Sequence, residues 1–247
     1  MPSVAGFAVL LRYGRCFLLT VTDLTVEYTD GTRAIDAVRF SIDAGENVAL
    51  IGANGAGKTS LLLALVGVLP PKSGFIHVGE TILDKKTLLE VRSRIGMVFQ
   101  SPDDQLFMPS VFEDAAFGPR SFGCDEAETT LRVNAALSRL GIAHLAERSP
   151  LKLSGGEKRL AAIATVITMN PEFLLFDEPT AFLDPRARRN MVDIIADLLQ
   201  GKLIATHDLA FAEKTCSRVL LLQNGKLTVD GGMELLRDSS TLIAAGL

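Results

Sequence analysis

Tryptophan is absent from this sequence, tyrosine occurs only twice and cysteine three times. Cys16, Cys124 and Cys216 are odd in number and widely scattered, so they fit neither a disulfide framework nor a zinc site, and a reducing cytosol is the expected compartment. Missing too is any uninterrupted apolar stretch of the ~20 residues that a bilayer-spanning helix needs. The one suspicious segment, 4–20, is apolar but carries Arg12 and Arg15 within it. A signal peptide would be basic ahead of its apolar part, whereas this chain starts Met-Pro-Ser. There is no run of like charges either, and a net charge of −4 gives no reason to expect a nucleic-acid channel. No internal repeat or low-complexity linker divides the chain. What remains is 247 residues, 48% of them apolar, enough for one large domain, or a domain with a subdomain, around a sizeable core.

The most informative stretch reads Gly52-Ala53-Asn54-Gly55-Ala56-Gly57-Lys58-Thr59, a full match to the phosphate-cradling pattern G-x-x-x-x-G-K-[ST]. Before it, Asn47-Val48-Ala49-Leu50-Ile51 has the short apolar run of a buried parallel strand. After it, Ser60-Leu61-Leu62-Leu63-Ala64-Leu65-Val66 is rich in good helix formers. Strand, loop and helix is the context that gives the pattern meaning. Glycines let backbone N–H groups curl around an anion, and the helix N-terminus behind them adds a partial positive charge. Lys58 is placed to reach the β- and γ-phosphates, and the Thr59 hydroxyl to ligate Mg²⁺. A nucleoside triphosphate is the expected ligand, with residues Gly52 to Ser60 around it.

Leu153-Ser154-Gly155-Gly156-Glu157-Lys158-Arg159 forms a second phosphate-ready helix start. Ser154 is a good N-cap, Glu157 follows three residues later as in a capping box, and an apolar run to Ile167 comes next. The two glycines leave N–H groups uncovered. On these residues alone the segment is first of all a cap. Two such starts in one chain suggest a further idea: one serves the chain's own nucleotide, the other a nucleotide held by a partner chain.

Phe173-Leu174-Leu175-Phe176-Asp177-Glu178 reads as an apolar strand, buried on both faces, that ends in two adjacent carboxylates. Ligands of such sheets collect at the strands' C-terminal ends. Asp177 would hold Mg²⁺, directly or through water. Side chains alternate along a strand, so Glu178 is expected to point the other way from Asp177. It is the candidate general base, polarising the water that attacks the γ-phosphate.

Taken in order, these motifs resemble those of the ATP-binding subunits of ABC transporters, whose signature is Leu-Ser-Gly-Gly-x. The resemblance covers residues from about 18 to about 238. It implies ATP and Mg²⁺ as ligands, and a head-to-tail pair in which each ATP lies between one subunit's 52–59 loop and the other's signature. Ser154, Gly155 and Gly156, with Glu157, would then face the partner's nucleotide. In Ile204-Ala205-Thr206-His207-Asp208 it implies a switch histidine, His207, that hydrogen-bonds the γ-phosphate region and orients Glu178. In Val98-Phe99-Gln100 it implies that the Gln100 amide oxygen contacts Mg²⁺ or the attacking water, in a segment that passes motion to a transport partner. In Ala181-Phe182-Leu183-Asp184 it puts Asp184 across the dimer interface. Many relatives carry Ser or Gly in the first two places of that segment, so Phe182 is a bulkier choice. The family also places an aromatic near Tyr28 to stack on adenine, an interaction worth on the order of 1–3 kcal/mol between aromatics and nucleic-acid bases. A half-buried strand tyrosine is the other reading. The family's first strand begins near Leu19, which leaves 1–18 as an extension. Edge strand, interface anchor and early start codon are all open for it, with a surface-packed or poorly ordered segment favoured.

The expected fold is α/β, of the P-loop nucleoside triphosphatase type, with a mainly parallel core sheet, an antiparallel β subdomain and a helical subdomain. Short strands up to Val78, with turns at Asp30-Gly31 and Ala44-Gly45, suit the antiparallel part. The helical part is placed at about 103–164, with an amphipathic pattern over Glu126–Leu140 and Gly141 as a C-cap. From Glu172 onward apolar strands alternate with helices, the mark of βαβ units. Asn224-Gly225 between 219–223 and 226–229 signals a two-residue hairpin. The ATPase domain is expected over 19–247, with no room after the hairpin for an added regulatory domain.

Phe99-Gln100-Ser101-Pro102-Asp103-Asp104-Gln105-Leu106-Phe107, with the segment Val111 to Pro119, resembles the ATPases of energy-coupling-factor importers. That group takes up cobalt, nickel or vitamins, using a membrane substrate-binding subunit and a transmembrane coupling subunit. The resemblance implies those two partners, a second ATPase subunit (identical or not), a place on the cytoplasmic face of the cell membrane, and no nucleic acid. Leu106, Phe107, Met108, Phe112 and Phe117 either line a groove for a partner helix or form the small core of the helical subdomain. The rival readings are the ATPase of a binding-protein-dependent importer for amino acids or metal chelates, and a non-transport ATPase of the same superfamily. The latter commonly carry a second ATPase copy, coiled coils or basic surfaces, which this sequence lacks.

Overall fold

Ten strands sort into two sheets and seven helices cover them, among the residues 18–237 that the computed structural model describes. Cys16 and, apart from Leu18, the expected extension lie outside those residues. In chain order the first elements are β1 (Leu18–Glu27), β2 (Arg33–Asp43), β3 (Asn47–Ile51), α1 (Lys58–Leu65), β4 (Ser73–Val78) and β5 (Thr81–Ile82). Then follow α2 (Leu88–Arg94), β6 (Ile95–Val98), α3 (Val111–Ser121), α4 (Glu126–Arg139) and α5 (Gly155–Ile167). The last part holds β7 (Phe173–Asp177), α6 (Pro185–Asp197), β8 (Gly201–Ala205), α7 (Leu209–Thr215), β9 (Arg218–Gln223) and β10 (Lys226–Gly232).

One sheet is antiparallel, in the order β2-β1-β4-β5. The other runs β10-β9-β3-β8-β7-β6 and is parallel except for β10. Its parallel strands are largely apolar because both faces are covered, whereas the edge strand β10 alternates exposed and half-buried positions, and the period-2 alternation of side chains divides the parallel strands between two cores. Val48 and Leu50 of β3, with Phe173 and Leu175 of β7, join the antiparallel sheet and α1. Ala49 and Ile51, with Leu174 and Phe176, join the helices on the other side. A buried leucine or phenylalanine is worth roughly 1.5–3 kcal/mol, so both layers hold the sheet firmly.

The turns follow their residues. Asn224 and Gly225 both have positive φ, 49° and 76°, as a two-residue hairpin of the right twist demands. Gly141, at φ 70°, sits just beyond the Leu140 cap of α4 and ends that helix. Ser110 and Asp125 cap α3 and α4 through the Glu113 and Glu128 amides. Of the five apolar residues near 106–117, Leu106 is buried and Phe112 packs against the core. Phe107 and Phe117 stay exposed, their rings edge-on with centroids 5.2 Å apart. The reading as part of the subdomain core thus holds for Leu106 and Phe112, and the exposed pair is not part of that core.

β3, β8 and β7 lie side by side, so the loops leaving their C-terminal ends meet, and β6 ends next to them. That arrangement builds the site.

Candidate active site

Gly57 caps α1 with φ 107° and no side-chain hydrogen bond, and no acidic residue occupies the first turn. The leading N–H groups of α1 are therefore free to meet an anion. Glycine is required at the base of the loop: a Cβ on Gly57 would sit 2.5 Å from the Ala34 carbonyl oxygen, and one on Gly52 would sit 2.3 Å from that of Leu222. The loop is braced from outside by the β9–β10 hairpin, where the Gly225 amide donates to the Ala56 carbonyl at 3.0 Å.

Around the loop lies a cavity of about 810 Å³. Asn54, Gly55, Gly57, Lys58, Thr59 and Ser60 line its floor. Gly52, Ala53 and Ala56 shape the loop from behind. The Lys58 ammonium donates to the carbonyls of Gly52 (2.7 Å) and Ala53 (3.2 Å), and burial lowers its pKa. At one wall the Tyr28 hydroxyl shares a hydrogen bond with Ser60 Oγ at 2.8 Å, its side chain partly exposed to the cavity.

Across the cavity, the Thr59 hydroxyl donates to Asp177 Oδ2 at 2.7 Å. Burial raises the Asp177 pKa, and the Glu178 charge adds to this. A buried carboxylate beside a hydroxyl, with the Gln100 amide on the same cavity wall, is an all-oxygen donor set of the kind hard cations take. The residues therefore fit Mg²⁺.

Glu178 reaches the cavity by a different route from simple alternation. β7 stops at Asp177, and Glu178 adopts the left-handed φ of 47°, its amide donating to the Ala205 carbonyl at 2.8 Å. A turn in the backbone, not the pleat, aims the carboxylate. Its Oε1 lies 2.9 Å from His207 Nδ1, and its Oε2 accepts from the Thr206 hydroxyl at 3.3 Å and the His207 amide at 3.4 Å. The adjacent Asp208 is clamped by Arg188 through Nε at 2.7 Å and Nη2 at 2.6 Å, which ties the His207 loop to α6. Sequence reasoning did not single out Thr206, Arg188 or the hairpin wall, because each acts through contacts distant in the chain.

The structure brings Tyr28, Lys58, Thr59, Gln100, Asp177, Glu178 and His207 to one cavity. It keeps Ser154, Gly156 and Glu157 away from it. Ser154 and Glu157 form a reciprocal capping box at the start of α5, in which Glu157 accepts the Ser154 amide at 2.8 Å and the Glu157 amide donates to Ser154 Oγ at 3.4 Å. Those hydrogen bonds hold the Glu157 pKa below the usual carboxylate range. Gly155 faces a second cavity of about 560 Å³ beyond Gln100, bordered by Arg159 and Phe182. Asp184 caps α6, its Oδ1 accepting from the Arg186 and Ala187 amides at 2.8 and 2.9 Å. Among the described residues no cluster of His, Cys, Asp and Glu forms a separate metal centre, and no helix is long and apolar enough to cross a membrane.

A phosphate loop between β3 and α1, a buried carboxylate ending β7 and a histidine-held glutamate define a P-loop nucleoside triphosphatase site. The sequence profile of the ABC transporter family matches residues 35–181, and the chain belongs to that family as an ATP-binding ATPase subunit. An ABC transporter ATP-binding protein of Geobacter sulfurreducens is 47% identical over 227 residues, covering 92% of this chain and 91% of the relative. The energy-coupling factor transporter ATP-binding protein EcfA of Methanothermobacter thermautotrophicus is 39% identical, covering 93% of this chain and 76% of that protein. The solved structure of cbiO1 from Clostridium perfringens, part of the ABC transporter complex cbiONQ, aligns with a TM-score of 0.81 at 35% identity, covering 93% of this chain and 94% of that one.

Proposed function

We propose that this chain is the ATPase of an energy-coupling-factor importer, working as a dimer on the cytoplasmic face of the membrane. The dimer binds a transmembrane coupling subunit and a substrate-binding membrane subunit, and drives uptake of cobalt or nickel ions or a vitamin. The likeness to EcfA and to cbiO1 supports the importer type. The observation that carries the dimer is the separation of two phosphate-ready helix starts: α1 opens into the larger cavity, whereas the start of α5 does not line it. The start of α5 therefore serves a nucleotide held by a second chain, and Asp184 lies at that interface.

In this reading the amides of the 52–59 loop and Lys58 hold the ATP phosphates and Tyr28 packs on the adenine. Thr59, Asp177 and Gln100 would hold Mg²⁺, which would supply positive charge to offset that of the phosphates. Glu178 accepts the proton of the attacking water while His207 keeps its carboxylate in place. Closure with the partner completes the electrostatic surround of the γ-phosphate and excludes bulk water.

Gel filtration of Glu178→Gln with ATP tests the dimer. The variant is expected to bind ATP and elute as a dimer, and a strictly monomeric protein at high concentration would count against the reading. Co-purification from membranes tests the importer type: a small membrane substrate-binding subunit supports it, a periplasmic or lipid-anchored receptor refutes it.

A further inference from the structure

Phe99 immediately precedes Gln100, and both of its backbone polar groups are held by side chains from elsewhere. Its amide donates to Gln105 Oε1 at 3.1 Å, and its carbonyl accepts from Arg159 Nη1 at 2.8 Å. The Gln105 amide nitrogen donates in turn to the Ala162 carbonyl and the Thr165 hydroxyl, each at 2.8 Å. Arg159, Ala162 and Thr165 all belong to α5, the helix that starts at Gly155 and Gly156. A further link joins the same two segments, Lys158 Nζ to Asp103 Oδ1 at 2.5 Å, though its exposed carboxylate makes it the weakest.

Arg159 is an expensive residue to keep there. It is 2% exposed and its Nε makes no hydrogen bond. A buried guanidinium forfeits hydration, and an apolar side chain of similar volume commonly serves stability as well or better. Beyond the attraction between its charge and the buried Asp177, fold stability thus gives little reason for arginine at this position. What it provides is a donor aimed at the Phe99 carbonyl, at the edge of the second cavity that Gln100, Asp177 and Gly155 also border.

We propose that Arg159 and Gln105 are positioning residues for Gln100: together they fasten the Phe99 peptide to α5, so that Gln100 and the glycine start of α5 move as one piece. The inference rests on the assignment of Gln100 to the hydrolytic centre. In the paired arrangement the start of α5 meets the partner's nucleotide while Gln100 faces the chain's own. The fastening therefore links occupancy of one site to geometry at the other, through contacts that are all present in a single chain.

A mutant cycle on the full chain tests it, with steady-state ATPase rates and ATP affinity by calorimetry for Arg159→Met, Arg159→Lys, Gln100→Ala and the Arg159→Met/Gln100→Ala double variant. A displaced active-site group typically lowers turnover by about tenfold to a hundredfold. Arg159→Met is expected to lower kcat in that range with ATP affinity within about twofold of the parent, and Arg159→Lys to recover much of the loss because it keeps a donor for Phe99. The double variant should be no slower than Gln100→Ala alone, since groups acting through one another are not additive. Losses that multiply, or an unchanged kcat in Arg159→Met, overturn the proposal. An unchanged kcat in Gln100→Ala instead overturns the underlying assignment of Gln100. If Arg159→Met does not fold, Gln105→Ala, at a half-buried position, takes its place in the same cycle with the same expected outcomes.

Discussion

His207 Nδ1 stands 2.9 Å from Glu178 Oε1, and the two partners differ sharply in environment: the imidazole is 60% exposed and the carboxylate 8%. The buried member is the one whose direction matters for chemistry, and the exposed one restrains it from the cavity side. His207→Ala should therefore leave ATP affinity nearly unchanged while lowering kcat by about 10²–10⁴, the usual range for loss of a proton-transfer arrangement. Phosphate release at saturating ATP, with affinity from calorimetry, checks the split. Parallel losses in both would show that His207 serves binding instead.

Lys58 is surrounded by carbonyls of its own loop, with no carboxylate in hydrogen-bond contact. The site thus holds a partly desolvated cation ready for an anion, with the nearby charges of Glu178 and Asp177 partly offsetting the cost of its burial. Lys58→Met should abolish measurable ATP binding by calorimetry, a loss of about a hundredfold or more from a charge-assisted phosphate contact. Unchanged ATP affinity would contradict the loop assignment.

The parts of the site that could be read in advance are those whose chemistry is contiguous. Gly52 to Thr59 carries its strand, loop and helix within one stretch, and Phe173 to Glu178 ends an apolar strand in acid. The strand order that brings them together, β3-β8-β7, is a matter of pairing and left no local mark. Glu178 shows the limit well, since its left-handed backbone conformation replaced the alternation that a pleated strand would impose. Arg159 and Gln105 look like ordinary polar residues of a helix and a loop, and only packing reveals that both grip Phe99. The Asn224-Gly225 hairpin was legible as a turn, but not as a wall of the nucleotide cavity.

Phe182 combines two unfavourable features, a φ of 61° and 95% exposure of its side chain. The left-handed region costs a residue bearing a Cβ roughly 1–2 kcal/mol, and glycine escapes that cost while adding about 0.5–1 kcal/mol of unfolded-state entropy. With almost no burial to lose, Phe182→Gly should leave the isolated chain as stable or slightly more so, and Phe182→Ala, which keeps the strain, should not. Urea unfolding of the nucleotide-free monomer distinguishes them. A marked loss of stability in the glycine variant would show that the exposed ring contributes to the fold.

Lys202 is the chain's clearest source of pH-dependent stability. It sits on β8, 1% exposed, with Nζ donating to the Leu198 carbonyl at 2.7 Å and to Asn47 Oδ1 at 3.1 Å. Burial pushes its pKa down to about 8 from an ordinary 10.5. Below pH 8 the ammonium is charged in both states, and the folded state carries the whole penalty. Between about 8 and 10.5 the unfolded chain holds the proton that the folded chain has released, so stability rises with pH through that window. The gap between those values corresponds to about 3 kcal/mol at most. Cys216, whose thiol burial pushes up to about 11 from an ordinary 9.0, lowers stability as pH rises between those values, opposite in sign to the lysine and overlapping its window, so the lysine contribution is read from the difference between parent and variant. Lys202→Met should be more stable than the parent at pH 7, by less than that ceiling because two hydrogen bonds are lost, and its advantage should shrink steadily as pH rises towards 10. Urea midpoints of both proteins at pH 7, 8, 9 and 10 supply the measurement. A difference that stays constant with pH would mean that the amine titrates normally and that its burial carries no charge penalty.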